Sequence, residues 1–226
     1  MTITDLNQKR EREVERVRRL YRYEDQYRAE GCEYIAGVDE VGRGSLAGPL
    51  IVSAVILPPD VFIAHLNDSK KLTPRRREIL YYEIIEKALA VTTICSTVEE
   101  IDRFNVYRAT LNAMFRAVRS LPLKPDFVLT DAMKLYFGGD TGSLSIIKGD
   151  AKSATIAAAS IIAKVTRDRM ADEWDELYPQ YDFKHNRGYG TKKHLEAIQQ
   201  YGASPIHRRS YEPVKSIYSG QLTIKF

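Results

Sequence analysis

Gly37-Val38-Asp39-Glu40-Val41-Gly42-Arg43-Gly44 lies between two apolar stretches, Tyr34-Ile35-Ala36 before it and residues 50–57 after it. The second stretch is rich in β-branched residues, which favour strands, so the octapeptide reads as a strand end running into a glycine-rich turn. Two adjacent acids, Asp39 and Glu40, therefore stand where the strand stops. Each raises the other's pKa unless a cation intervenes, and a hard divalent ion bound by oxygens removes that conflict. Gly42 and Gly44 let a backbone approach a ligand closely, and Arg43 between them offers a positive fork. The pattern points to a metal site beside a grip for phosphate or sugar. Taken alone, it also fits solvated acids ahead of a tight hairpin turn.

Outward from this stretch, strands are expected at 34–39, 50–57, 91–98, 127–131 and 143–147. Asp131 ends the fourth of these much as Asp39 ends the first. Asp150 follows the fifth, at the mouth of a helix with small side chains expected over 153–176. Three sheet-end positions thus supply four carboxylates: Asp39, Glu40, Asp131 and Asp150. Ligands collect at strand ends in open sheets flanked by helices. Four acids converging there repel one another unless divalent ions neutralise them. Two such ions about 3.5–4 Å apart can activate a water and stabilise the leaving oxygen of a phosphodiester. Each acid keeps a structural alternative: Asp150 suits a helix first turn, and Asp131 suits the start of a turn. Asp168 is a rival, but its place between Arg167 and Arg169 on a helix suggests ion pairing.

Further helices are expected from the Thr73-Pro74 cap to about residue 90, over 105–120 before Pro122, and over 191–201, stopped by Gly202. Residues 6–30 read as one highly charged helix with a narrow seam of Val14, Val17, Leu20 and Tyr21, and Glu15 and Arg19 are spaced to pair. Such a helix is expected to pack loosely on the domain or to project from it, with its arginines on a solvated face. Strands that first come in pairs and then alternate with helices imply an α/β fold with a mixed sheet flanked by helices.

At 226 residues and 44% apolar content the chain can bury one good core, which suits a single domain with an appendage. It holds no apolar run of about 18 residues, so no membrane partner is expected. The start, Met1-Thr2-Ile3-Thr4-Asp5, has no signal-peptide pattern, and Cys32 and Cys95 lack ligand spacing. A cytoplasmic protein with unpaired thiols is the expectation. The net charge of +4 is modest, but its basic residues cluster. Asp68-Ser69-Lys70-Lys71 precedes a capped helix and Arg75-Arg76-Arg77, a setting suited to an anion. A second cluster runs from Lys184 to Gly190 with Lys192, Lys193 and His194 behind it, and a third is His207-Arg208-Arg209. Tyr189 between two glycines suits stacking on a sugar or base. Any one cluster is ordinary solvated surface, but three of them beside four sheet-end acids favour a nuclease.

As a set, these motifs closely resemble bacterial type 2 ribonuclease H, RNase HII. The matching segments are Gly37 to Gly44, Asn67-Asp68-Ser69-Lys70-Lys71-Leu72, Asp131-Ala132, Lys148-Gly149-Asp150, Ala163 to Met170, Gly188-Tyr189-Gly190-Thr191 and His207-Arg208-Arg209-Ser210-Tyr211. They run in order from about residue 33 to about 215. Ser45 departs from the family, which usually has proline after the Gly-Arg-Gly turn.

The resemblance implies a ribonuclease H-like sheet and an endonuclease cutting 5′ to ribonucleotides in duplex DNA or RNA–DNA hybrids, leaving a 3′-hydroxyl and a 5′-phosphate. It implies Mg2+ or Mn2+ held by Asp39, Glu40, Asp131 and Asp150, and a 2′-hydroxyl read by Gly42, Arg43 and Gly44. Tyr189 would pack on the sugar, and Ser69, Lys70 and Lys71 would hold substrate phosphates. The Gly-Arg-Gly turn favours type 2 over type 3, hence removal of misincorporated ribonucleotides, by a monomer. The expected organisation is an N-terminal charged helical extension (1–32), a catalytic domain with a C-terminal helical part (33–215) and a tail (216–226). In the tail, Gln221, Leu222, Ile224 and Phe226 resemble the peptide that docks on the DNA polymerase sliding clamp, although the same alternation fits an edge strand. Rival readings are a resolvase-type nuclease that cuts all-DNA substrates, a non-catalytic nucleic-acid binder and a metal-dependent phosphatase.

Overall fold

The computed structural model describes residues 3–219. Its five strands are β1 (Ile35–Val41), β2 (Leu50–Ile56), β3 (Ala90–Ser96), β4 (Phe127–Asp131) and β5 (Gly142–Ile146). They form one sheet in the order β3-β2-β1-β4-β5. β1–β2 and β2–β3 are antiparallel, whereas β1–β4 and β4–β5 are parallel. The mixed sheet follows from the connections. A short link joins the antiparallel β1 and β2, a longer one containing the helix Pro74–Lys87 brings β3 back antiparallel to β2, and the crossover through helices α4 (Val98–Phe104) and α5 (Val106–Arg119) returns the chain parallel to β1.

Alternation along β1 divides its side chains between two layers. Ala36 and Val38 join α5 residues Ala109, Ala113 and Met114 in one buried cluster. Ile35 packs on the other face with Leu129, Ile146 and Ile156, the last from α6 (Ala154–Leu177). The run of small residues at the start of α6 lets the helix lie almost on the strand. A Cβ on Gly37 would stand 2.1 Å from the Thr155 carbonyl carbon, so only glycine fits there. Helix α3 (Pro74–Lys87) packs beside α6, contributing Leu80 and Ile84.

The expected helix over 6–30 is two helices, α1 (Ile3–Leu20) and α2 (Arg22–Ala29), and they are docked rather than loose. Val17, Leu20 and Tyr21 are buried in the α3–α6 layer, each apolar side chain worth about 1.5–3 kcal/mol of burial. The chain breaks at Tyr21, whose hydroxyl donates to the Val61 carbonyl (2.8 Å). α2 then delivers Glu24, fully buried, to the first turn of α6. There Ser153 Oγ, the Thr155 N–H and Thr155 Oγ1 all donate to Glu24 Oε1, at 2.6, 2.9 and 2.8 Å. Val14, expected in the seam, is exposed.

β3 stops at Ser96, short of the expected 98, because Thr97 and Glu100 form a capping box that starts α4. The C-terminal part is helical, as expected. α7 (Phe183–Asn186), α8 (Lys192–Tyr201) and α9 (Val214–Tyr218) surround Trp174, Tyr181, Phe183 and Ile198. No helix among the described residues is long and apolar enough to cross a membrane, and Cys32 and Cys95 are free thiols.

Candidate active site

The parallel β1–β4 ladder pairs Val38 with Thr130, so the next residue on each strand, Asp39 and Asp131, emerges side by side. Asp150 arrives from a 3-10 turn, Gly149–Ala151, entered through Lys148 in the left-handed conformation (φ 57°). That turn is tied to the sheet by the Gly149 N–H, which donates to Asp131 Oδ1 (2.8 Å). One carboxylate oxygen from each of Asp39, Asp131 and Asp150 lies within 4.8 Å of the others. Asp39 and Asp150 are each only 4% exposed.

Burial pushes the Asp39 carboxyl well above the usual range, and the Glu40 and Asp131 charges push it further. Asp150 is raised for the same reasons, burial first and then Asp131 and Asp68, with Lys70 opposing. Buried like charges with so little compensation are unfavourable unless a cation joins them. The cluster is therefore able to hold a divalent metal ion: three hard oxygen ligands converge, and the charge they lack is positive.

Glu40 is placed differently. It pairs in register with Val52, whose side chain belongs to the α5 face, whereas Asp39 pairs with Ser53 on the opposite face. Glu40 stands beside the three aspartates rather than among them, and Arg43 Nη1 donates to its Oε1 (3.3 Å). Burial raises its pKa against the pull of Arg43, and its buried Oε2 has no partner. An unpartnered buried carboxylate oxygen next to the acid cluster is a further free ligand atom. Among the basic candidates, Lys70 reaches the site directly, with Nζ 3.3 Å from Asp150 Oδ2. Burial alone would lower the Lys70 pKa, but the Asp150 and Asp39 charges outweigh it, so the ammonium is raised and stays charged. Ser69 is buried, its N–H donating to Ser160 Oγ (3.3 Å), and Lys71 is exposed.

The turn after β1 is built against two loops. Gly42 has φ +96°, and a Cβ there would lie 2.4 Å from Arg167 Nε. Gly44 faces open space, with nothing within 4 Å of where its Cβ would be. The Leu46 N–H donates to the Gly188 carbonyl (2.8 Å), which joins the turn to the Tyr189 loop. Tyr189 is 39% exposed, its ring 5.7 Å from the Arg167 guanidinium carbon. Asp168 is taken up in ion pairs with Lys164 (2.6 Å) and Arg77 (3.3 Å), as its helical setting suggested.

Two groups of residues escaped the sequence. Arg167 and Arg208 are fully buried and, among the described residues, bond only to backbone carbonyls and, for Arg208, the Tyr211 hydroxyl. His194 and His207 form a buried pair with their Nε2 atoms 2.9 Å apart. The basic clusters gave a signal for charge at His194, His207 and Arg208, but burial inverts its usual meaning, and only the fold reveals burial.

An aspartate cluster at the ends of β1 and β4 and in the turn after β5 of a five-stranded mixed sheet, with helices on both faces, defines a metal-dependent nuclease of the ribonuclease H-like class. Residues 36–214 match the family model for Ribonuclease HII. The chain is 54% identical over 194 residues to the ribonuclease HII of Bacillus licheniformis, covering 86% of this chain and 75% of that protein. In structure it is similar to ribonuclease H2 from Pyrococcus horikoshii, with a TM-score of 0.71 and 28% identity over 83% of this chain and 98% of that one. The RNase HII of Archaeoglobus fulgidus, solved in complex with PCNA, shares the fold with a TM-score of 0.64 and 24% identity over 81% of this chain and 96% of that one. The chain belongs to the ribonuclease HII family. It is a metal-dependent endoribonuclease acting on ribonucleotides within DNA and on RNA–DNA hybrids.

Proposed function

We propose that this chain cuts the phosphodiester 5′ to a ribonucleotide embedded in duplex DNA, leaving a 3′-hydroxyl and a 5′-phosphate, and so serves removal of misincorporated ribonucleotides. The observation that carries this reading is the convergence of three largely buried carboxylates within 4.8 Å, one element away from a glycine turn open to a ligand. Asp39, Asp131 and Asp150, with the free Oε2 of Glu40, would hold Mg2+ or Mn2+. When bound, such ions supply a nucleophilic water at neutral pH and stabilise charge on the leaving oxygen.

The remaining work falls to the protein's own groups. Lys70, already drawn to Asp150, sits where a substrate phosphate would meet the acid cluster, and Lys71 and Ser69 flank it. Gly42, Arg43 and Gly44 face the 2′-hydroxyl, the one group that distinguishes ribose from deoxyribose. The side of Gly44 is open for the sugar to come close. Tyr189, half-exposed on the adjoining loop, packs on the sugar at the RNA–DNA junction. The test is a labelled duplex carrying one ribonucleotide, incubated with Mg2+ or Mn2+, beside an all-DNA duplex and the Asp39→Asn variant. A single cut 5′ to the ribonucleotide, absent from both controls, is expected. Cutting of the all-DNA duplex would instead favour a resolvase-type nuclease.

A docking role on the sliding clamp rests on Gln221, Leu222, Ile224 and Phe226, which lie outside the described residues. Removal of 221–226 is expected to abolish clamp binding in a pull-down with purified clamp while cleavage persists. Binding that survived the deletion would end this reading.

A further inference from the structure

Arg208 is completely buried, yet no carboxylate pairs with it among the described residues. Its guanidinium is spent on one short segment: Nη2 donates to the Gly42 carbonyl (2.6 Å), Nη1 to the Arg43 carbonyl (3.0 Å) and Nε to the Gly48 carbonyl (2.9 Å). Tyr211 lies under the guanidinium, 5.0 Å from ring centre to guanidinium carbon, and its hydroxyl also donates to the Arg43 carbonyl (2.6 Å). The segment carrying both is pinned in turn by Asp102, which accepts the Arg209 and Ser210 N–H groups, each at 2.9 Å. Arg167 closes the other side of the turn, spanning the Pro49, Ala47 and Arg187 carbonyls.

A buried guanidinium without a counter-ion is costly, and an apolar side chain of the same volume is often no less stable. What the charge achieves here is orientation. In a trans peptide the C=O of one residue and the N–H of the next point in opposite directions. By drawing the Gly42 and Arg43 carbonyls inward, Arg208 turns the Arg43 and Gly44 N–H groups outward. Neither N–H donates to any acceptor among the described residues, and Gly44 faces open space. Two successive free donors beside an open glycine can serve as a site for an oxygen.

We propose that Arg208, with Tyr211, is a specificity-determining positioning residue: it never touches substrate, but it fixes both peptide planes of the Gly42-Arg43-Gly44 turn so that their N–H groups meet the ribose 2′-hydroxyl. The inference rests on the turn being the ribose reader. A planar fork is required, because three carbonyls must be met at once in fixed directions, which the point charge of lysine does not do.

The test compares binding of two duplexes, one with a single ribonucleotide and one all-DNA, by fluorescence anisotropy with Mg2+ in an Asp39→Asn background that prevents cutting. The readout is the ratio of the two dissociation constants. Arg208→Lys is expected to lower that ratio about fivefold to tenfold by freeing the turn, and Tyr211→Phe about threefold by removing one of its anchors. Affinity for the all-DNA duplex and its salt dependence stay unchanged, because a fully buried arginine neutralises no phosphate. Equal weakening of both duplexes, as a merely structural role would produce, overturns the proposal. So does an unchanged ratio in folded Arg208→Lys. Should that variant not fold, an undiminished ratio in the near-isosteric Tyr211→Phe overturns it. If the unaltered turn shows no preference for the ribonucleotide duplex, the reader assignment itself falls, and the proposal with it.

Discussion

Gly42 and Gly44 are two residues apart in one turn, yet alanine at each should fail in a different way. At Gly42 the backbone has φ +96°, and left-handed conformations cost an L-residue roughly 1–2 kcal/mol. The new methyl would also lie 2.4 Å from Arg167 Nε and 3.0 Å from its Cδ and Cζ. Arg167 cannot swing aside freely, because its head is fixed by the Pro49 (3.2 Å), Arg187 (2.6 Å) and Ala47 (3.0 Å) carbonyls. Yielding severs at least one charged hydrogen bond, worth about 1.5–3 kcal/mol. The sum for Gly42→Ala is a loss of about 2.5–5 kcal/mol, or roughly 5–20 °C in Tm for a chain of this size.

Gly44→Ala meets nothing within 4 Å and does not lie in the left-handed region, so its Tm should stay within a few degrees of the parent. Its methyl instead enters the open space that the proposed reading gives to the sugar. A displacement of about 1 Å there should lower cleavage at a single ribonucleotide by about a hundredfold. The assays are thermal unfolding by circular dichroism and initial cleavage rates on the single-ribonucleotide duplex. Equal destabilisation by both substitutions, or an unaltered Tm in Gly42→Ala, would refute the division of labour drawn between the two glycines.

Mg2+ or Mn2+ should raise the unfolding midpoint of the parent but not of Asp39→Asn or Asp150→Asn, because an ion stabilises only the state that assembles its ligands; calorimetry with and without the ion decides this. His207 is held down to about 4 from 6.5 by burial and by His194, so the native state favours its neutral form. Its contribution is therefore complete above about pH 6.5 and disappears as pH falls through about 4, up to about 3 kcal/mol in all. Urea titrations at about pH 7 and about pH 4.5 should accordingly show a smaller pH effect in His207→Gln, and parallel behaviour of the two proteins would disprove the assignment. Glu24→Ala should cost about 2–4 kcal/mol by orphaning the donors of Ser153 and Thr155. Glu24→Gln should cost less, since all three donors use one oxygen that an amide can replace, and equal losses in the two variants would contradict that.

The residues that reveal themselves in sequence are those whose chemistry conflicts with their local position. Asp39, Asp131 and Asp150 are legible as acids that end or follow apolar strands, and Tyr189 as an aromatic between two glycines. β2 and β3 were legible because β-branched residues are frequent in them; β4 has the expected limits and β5 is shifted by one residue. Glu40 was harder: alternation puts it on the opposite face from Asp39, but the sequence does not say which of the two faces the other acids join. The docking of α2 was hidden for a different reason. Glu24 looks like any other acid on a charged helix, and nothing local announces that three donors at the start of α6 await it. The same applies to His194 and His207, whose pairing links α8 to the loop that follows it. Long-range polar pairing has no period, so no sequence pattern can carry it.

The arrangement of charge around β1 bears on why the site has this form. Negative charge gathers at Asp39, Asp131 and Asp150, relieved at Asp150 by Lys70, and buried positive charge gathers at Arg167 and Arg208 against the turn that follows β1. Direct pairing of the two groups would relieve both, and a protein selected for stability alone would gain from it. Instead the arginines are satisfied by carbonyl oxygens, which hold them without neutralising them, and only Arg43 at the rim reaches Glu40. The separation keeps the acids free for a cation and the turn's N–H groups free for a hydroxyl. Burial lowers Arg167 to about 10 and also lowers Arg208, but both remain charged at neutral pH, so the turn is held under the same conditions in which the acids need a metal. Each half of the site is thus left with a deficit that only a ligand fills: the carboxylates lack positive charge, and the turn lacks an acceptor. A ribonucleotide phosphodiester arriving with its metal ions supplies both at once. On the proposed reading of the turn, a deoxyribonucleotide would bring the phosphate but no oxygen for the turn, and this difference would be the physical basis for discrimination at a single sugar.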